Sequence, residues 1–442
     1  MDADAIVIGA GAAGLAAARS LAGRSLRVML LEARDRTGGR VWSLLSARAT
    51  LSVELGAEFI HGPAPETRAL LRDVGTAAID TGGDSWMPCD DGGLQPGDDD
   101  MIAAAGIFEG TRALAADESV DRFLQRFTDD EAMRATVRSA RAFVEGFEAA
   151  APALASAQAI ASEWRSGVDF QTARPLGGYR AMFDHLRAAC TAAGVVTCLS
   201  TAVRRVAWRR GAVTVDVTSA GGESRTIRAR AAIVTLPVGV LRHAGDETAV
   251  AFDPELPPAK RAALGSLEMG HAHRVALWFR TAFWEEIRAG RYRDAAFFRS
   301  AGPPFAGYWT QVPVRTELIV AWAGGPNATA LGEASQEELI GLALDGFGNL
   351  FGEPALARKE FDGGVMHDWG HDPLARGAYS YVTVGGRDAR AGLAAPVDET
   401  LFFAGEATSN DGQGGTVNGA LETGERAARE AAAALGAALR DA

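Results

Sequence analysis

Cysteine is scarce in this chain: Cys89, Cys190 and Cys198 are the only three in 442 residues. No pair has the spacing of a disulfide framework or a metal site, so neither is expected, and the three fit a reducing cytosol. Lysine is scarcer still, at Lys260 and Lys359 only, against 42 arginines, which reads as the codon bias of a GC-rich bacterial genome. Net positive charge is missing as well. Fifty-six acids against 44 Lys and Arg give −12, which argues against a nucleic acid held through its phosphates. No window approaches the ~18 uninterrupted apolar residues of a membrane span. The N-terminus Met1-Asp2-Ala3-Asp4 is acidic where a secretory signal needs positive charge. The expectation is a soluble, cytoplasmic protein with no membrane anchor.

Glycine, by contrast, is abundant: 52 residues, about 12% against a usual ~7%, which suggests tight turns and close backbone approach to a ligand. Length at ~150 residues per domain predicts two or three domains.

Residues 4–9 read as a short buried strand ending in glycine, Ala10–Ala22 as a helix of small residues, and Leu26–Leu31 as a second buried strand. Strand, helix and strand within ~30 residues form a βαβ unit with a right-handed crossover. Residues 98–165 carry apolar residues at helical spacing, and several consecutive helices are expected there. Strand-like runs return at Val203–Ala207, Val213–Val217 and Ile227–Thr235, then at Arg274–Phe279, Ala295–Phe298, Gly307–Gln311 and Leu318–Trp322. Ser335–Leu350 reads as a helix with Ser335 as N-cap. After Tyr379–Val382 the chain is glycine-rich, reaching Leu401-Phe402-Phe403-Ala404-Gly405, which reads as a short strand, and from Thr416 it ends in a long Ala-rich helix. Asp90–Asp100 reads as a solvated loop.

Gly9-Ala10-Gly11-Ala12-Ala13-Gly14 places G-x-G-x-x-G between strand and helix. Gly9 allows the turn, Gly11 lets a pyrophosphate approach the backbone, and Gly14 lets helix and strand pack closely. The phosphates meet the free N–H groups of the helix N-terminus. Glu32 closes the second strand 18 residues after Gly14, where a carboxylate accepts from ribose hydroxyls and disfavours a 2′-phosphate. NAD and FAD both remain open on this motif. Arg34-Asp35-Arg36-Thr37-Gly38-Gly39-Arg40 follows at once and suits a second backbone approach to a pyrophosphate.

Here the chain resembles the FAD-dependent amine oxidases, and among them the polyamine oxidases. The blocks that carry the resemblance run in family order: Leu55-Gly56-Ala57-Glu58-Phe59-Ile60-His61-Gly62, Thr235-Leu236-Pro237-Val238-Gly239-Val240-Leu241, Asp372-Pro373-Leu374-Ala375-Arg376-Gly377-Ala378-Tyr379-Ser380-Tyr381, Phe403-Ala404-Gly405-Glu406-Ala407-Thr408 and Gly415-Thr416-Val417-Asn418-Gly419-Ala420. The resemblance implies an α/β fold with a Rossmann-type FAD-binding domain (1–80, 170–255 and 376–442). A substrate-binding domain of mixed sheet plus helices would take 81–169 and 256–375. It implies FAD held by Gly9, Gly11, Ala13, Gly14, Glu32, Arg34, Gly39, Arg40, Gly56, Ala57, Glu58, the Val203 backbone, Glu406, Thr416 and Val417. Thr416 has a reading of its own: as N-cap it leaves the Val417 and Asn418 N–H groups facing a ligand.

The chemistry implied is oxidation of an aliphatic amine C–N bond to an imine, with O2 as acceptor giving hydrogen peroxide. Polyamines are included among the substrates. Tyr379 and Trp369 match the aromatics that guide the amine and close over the flavin, and His61 matches the substrate-side histidine of polyamine oxidases. Three positions depart from the family. Arg274 stands where a lysine holds a water near flavin N5, and guanidinium is planar and does not deprotonate. Gln413-Gly414-Gly415 occupies the place of a second cage aromatic. Ala378 replaces the cysteine that bonds FAD in monoamine oxidases, so the FAD is expected to be non-covalent. Two other readings stay open: an L-amino-acid oxidase with an arginine clamping the carboxylate, and a flavin-binding protein without amine turnover. The sequence offers no convincing metal or nucleophile constellation, and it leaves the oligomeric state unknown.

Overall fold

The computed structural model describes the chain except residues 46–51, 90–92, 98–100, 169–171, 301, 303 and 437–442. Small side chains build its first layer. The strand Ala5–Ile8 is buried throughout, and the helix Ala12–Ala22 lies close against it. Gly14 permits that approach, since a Cβ there would stand 1.8 Å from the Gly9 carbonyl oxygen. The strand pairs in parallel with Val28–Leu31 and with Ala231–Val234. Val196–Cys198 and Leu401–Phe403 complete a five-stranded parallel sheet in the order 196–198, 28–31, 5–8, 231–234, 401–403. An all-parallel sheet must be covered on both faces. One face carries Ala12–Ala22 and the last helix, Val417–Leu435. The other packs on the antiparallel strands Thr201–Arg209, Ala212–Ser219 and Ser224–Ala229.

A second sheet has seven strands, in the order 361–366, 272–279, 318–324, 307–309, 295–299, 84–88, 94–96. All its pairings are antiparallel except that of Ala295–Arg299 with Asp84–Pro88. Its core is aromatic (Phe279, Phe283, Trp284, Phe298, Tyr308, Phe347) and is closed by the helix Gln336–Leu350. That helix starts as expected, with Ser335 and Glu338 forming a capping box. The helical stretch 101–165 includes Met101–Ile107, Val120–Gln125, Arg134–Gly146 and Ala157–Arg165. No helix among the described residues is long and apolar enough to cross a membrane.

Three expectations need correction. The run Ile227–Thr235 is two strands in two different sheets, because the chain turns at Arg230 to leave one sheet for the other. In the Asp90–Asp100 segment, residues 94–96 are not loop: Leu94 is buried and Leu94–Pro96 pairs with Asp84–Pro88. The segment's residues 90–92 and 98–100 lie outside the described residues. Leu256, Ala263, Leu264, Leu267 and Met269, expected with the substrate half, pack into the core beneath the parallel sheet. Leu267–Met269 pairs there with Ser380–Val382.

Candidate active site

The ends of the parallel strands open into a cavity of about 600 Å³ that continues along the seven-stranded sheet. Open α/β sheets bind ligands at the carboxyl ends of their strands, and the residues at those ends, Gly9, Glu32, Thr235 and Gly405, all line it. Gly9 turns with φ +102°. A Cβ on Gly11 would meet only the backbone of Gly38 and Gly39, at 3.9–4.0 Å, so the space between these two glycine turns is open for a ligand. Gly11 caps the first helix with no side-chain hydrogen bond, which leaves first-turn N–H groups for an anion. This groove fits a dinucleotide pyrophosphate.

Glu32 is buried, and its carboxylate accepts from the Ala10 N–H at 2.7 Å and the Arg34 N–H at 2.9 Å. Burial pushes its carboxyl up, and those two N–H groups counter part of the shift. A carboxylate has about four acceptor sites, so two remain for ribose hydroxyls. Val203 packs in the core and also lines the cavity, at a register shift of its strand between Val203 and Arg205.

Farther along, Thr416 caps the last helix by accepting from the Gly419 N–H at 2.9 Å, and Val417 lines the cavity behind it. Glu406 ties three segments together. It accepts from Arg40 at 3.0 Å, the Ser380 hydroxyl at 2.7 Å and the Gly415 N–H at 3.2 Å. Burial alone would raise its carboxyl, but Arg40 and Arg390 outweigh that and hold it below the usual range.

Glu58 is the hub of the substrate side. Arg274 Nη2 donates to it at 2.5 Å, Arg174 Nε at 2.7 Å, Trp309 Nε1 at 3.0 Å and Gln311 Nε2 at 3.1 Å. Four donors use its acceptor capacity, so its carboxylate is committed to the protein. Burial would raise it, but Arg274 and Arg174 pull it down to about 2. Arg274 also donates through Nη1 to the Glu54 carbonyl, while its buried Nε has no hydrogen-bond partner.

Tyr379 donates its hydroxyl to the Phe147 carbonyl, and its ring lies 3.3 Å from where a Cβ on Gly415 would stand. Trp369 is fixed by its indole N–H, which donates to the Leu55 carbonyl at 2.8 Å. His61 stacks edge-on against Phe147 at 5.3 Å, and its Nδ1 is buried without a partner. Desolvation lowers its pKa to about 4, so the imidazole is neutral near pH 7.

Of the site residues named from the sequence, Gly14, Gln413 and Asn418 do not line this cavity; Gly14 packs helix on strand instead. Sequence reasoning missed Arg174, Trp309 and Gln311 around Glu58. It also missed the aromatic walls Phe59, Phe143, Phe147, Phe297 and Trp322. Their signal is weak: they are single residues scattered over strands, a helix and loops, and only tertiary packing collects them.

Residues 12–91 and 107–432 match the family described as flavin containing amine oxidoreductase. Polyamine oxidase 4 of Oryza sativa subsp. japonica is 29% identical over 461 residues, covering 96% of this chain and 88% of that protein. Polyamine oxidase 2 of Arabidopsis thaliana is 28% identical, with 96% and 87% covered. In fold, the chain is similar to wild-type putrescine oxidase bound to putrescine (TM-score 0.78, 21% identity, 98% and 99% covered). It is equally similar to the cyclohexylamine oxidase of Brevibacterium oxydans IH-35A (TM-score 0.78, 22% identity, 98% and 99% covered). The glycine-turn groove, the strand-end carboxylate and the aromatic chamber thus lie on a chain that matches one family over nearly its whole length, and this protein belongs to the flavin-containing amine oxidases.

Proposed function

We propose that the protein holds FAD non-covalently and oxidises an aliphatic amine at a C–N bond, with O2 as acceptor. Bound along the groove, the flavin supplies the two-electron acceptor. Arg34, Arg40 and the glycine turns would hold the pyrophosphate, Glu32 the ribose, and the Thr416 helix end the flavin. Ala378 offers no thiol for a covalent link, which supports non-covalent binding. The scarcity of cysteine, three residues with no disulfide-framework spacing, supports a cytoplasmic setting.

The observation that carries the reading is the chamber of aromatic faces continuous with the nucleotide groove. Aromatic faces attract a cationic amine and exclude water from its apolar part. Tyr379 spends its hydroxyl on Phe147, so it presents ring rather than oxygen. The five cavity carboxylates among the described residues, Glu32, Glu58, Glu148, Glu163 and Glu406, each already have a protein partner. This favours an amine with one ammonium and an apolar body. A second reading, a diamine or polyamine, is favoured by the unpartnered Nδ1 of His61. Hydrogen peroxide release across matched monoamines, diamines and L-amino acids decides between them. Silence toward every amine would overturn the proposal.

A further inference from the structure

Asp372 lies between the two halves of the site. Its Oδ2 pairs with Arg34 Nη2 at 2.9 Å and with His367 Nε2 at 2.6 Å. Its Oδ1 accepts from the Leu374 N–H at 2.9 Å. The side chain is 5% exposed, so these bonds form where water competes little and are stronger for it. Arg34 belongs to the nucleotide groove: its N–H donates to Glu32 and its side chain lines the cavity. His367 stands behind the wall residue Trp369 and does not itself line the cavity. Its ring stands edge-on to Trp369 at 4.3 Å and to Trp42 at 5.0 Å, while the Arg34 guanidinium lies 5.8 Å over the Trp369 ring. The Asp372 carbonyl also accepts from Ala375 and Arg376, shaping the turn that leads to Ala378 and Tyr379.

We infer that Asp372 is a positioning residue that joins Arg34 in the nucleotide groove to His367, which backs the Trp369 wall of the amine chamber, so that each side's geometry depends on the other. One carboxylate oxygen shared by a guanidinium and an imidazole has little freedom to serve one partner and abandon the other. Movement of Arg34 toward a bound phosphate therefore shifts Asp372, and with it the imidazole that props Trp369.

The inference rests on reading the cavity as a flavin and amine site, but its test needs no amine. FAD is titrated into apoprotein, by quenching of flavin fluorescence, for the parent, Asp372→Asn, His367→Gln and the double variant. Loss of one charge-assisted bond predicts a Kd rise of about tenfold for Asp372→Asn. His367→Gln should raise Kd by about threefold in the parent and have no further effect in the Asp372→Asn background, because its influence passes through that carboxylate. Asp372→Glu, which keeps the charge, should recover part of the affinity, and it carries the test if Asp372→Asn does not fold. A His367→Gln effect of equal size in both backgrounds, or no Kd change in Asp372→Asn, would overturn the inference. With a turned-over amine, KM should rise more than kcat falls in both single variants. If no amine reduces the flavin, the proposed function fails while the affinity cycle still decides the role of Asp372.

Discussion

Arg274 and Glu58 meet at 2.5 Å with both side chains about 5% exposed. The guanidinium at the position where the family has a lysine is therefore turned onto a carboxylate that Arg174 shares. The three groups together carry one net positive charge. Breaking such a buried pair by removing one partner costs about 3–5 kcal/mol. Glu58→Gln leaves two guanidiniums facing each other, so it should destabilise more than Arg274→Met. The penalty also has a pH signature. Because Glu58 is held at about 2, below the ~4.3 of an unfolded glutamate, its stabilisation is present above ~4.3 and is lost as pH falls toward 2. Denaturant melts of the parent and the two variants between pH 3 and 7 check this. A larger loss in Arg274→Met would make the guanidinium, not the carboxylate, the hub.

The same pair bears on catalysis. Arg274 lines the cavity, but a guanidinium has donors only and no acceptor atom to take up a proton. Flavin reduction by amine should survive Arg274→Met better than reoxidation by O2 does. Stopped-flow measurement of both half-reactions is the check, and two unchanged rates would contradict it.

Glu32 serves both the Gly9–Gly14 turn and the ribose. Glu32→Ala removes bonds to a charged acceptor worth about 1.5–3 kcal/mol each, so FAD affinity should fall by at least tenfold. Fluorescence titration of apoprotein measures it. Parent-like affinity would mean that the carboxylate only shapes the turn.

His61 should matter to a second nitrogen and not to the reacting one. For a hydrogen bond between a neutral imidazole and a charged amine, about 1.5–3 kcal/mol is expected, or roughly ten- to a hundred-fold in kcat/KM. His61→Ala should impose that loss on a diamine and spare a monoamine of matched chain length. Equal losses would make His61 a packing residue. Because its imidazole titrates near 4, the diamine profile should show no break near 6.5 from this group.

The flavin itself gives a simple outcome. Acid precipitation should leave a yellow supernatant containing FAD, since Ala378 cannot form a thioether. Colour retained in the pellet would contradict that reading.

Much of this protein is local in its sequence. G-x-G-x-x-G between a buried strand and a small-residue helix works through backbone, so the turn, the helix N-terminus and Glu32 at the next strand end are all legible from spacing. The capping box at Ser335 and the N-cap at Thr416 are legible for the same reason, because a cap bonds within its own turn. What the tertiary structure decided involves partners far apart in the chain. Glu58 reads as one acid in a family block, yet its partners come from residues 174, 274, 309 and 311. Asp372 reads only as the first residue of a family block, yet it joins Arg34 to His367. The strand Leu94–Pro96 also escapes a reading by composition, because its pairing with Asp84–Pro88 and the burial of Leu94 come from the sheet it joins. Periodicity and caps report each segment's own hydrogen bonds and apolar face. Which charge is neutralised, and by what, depends on distances between segments that only folding sets.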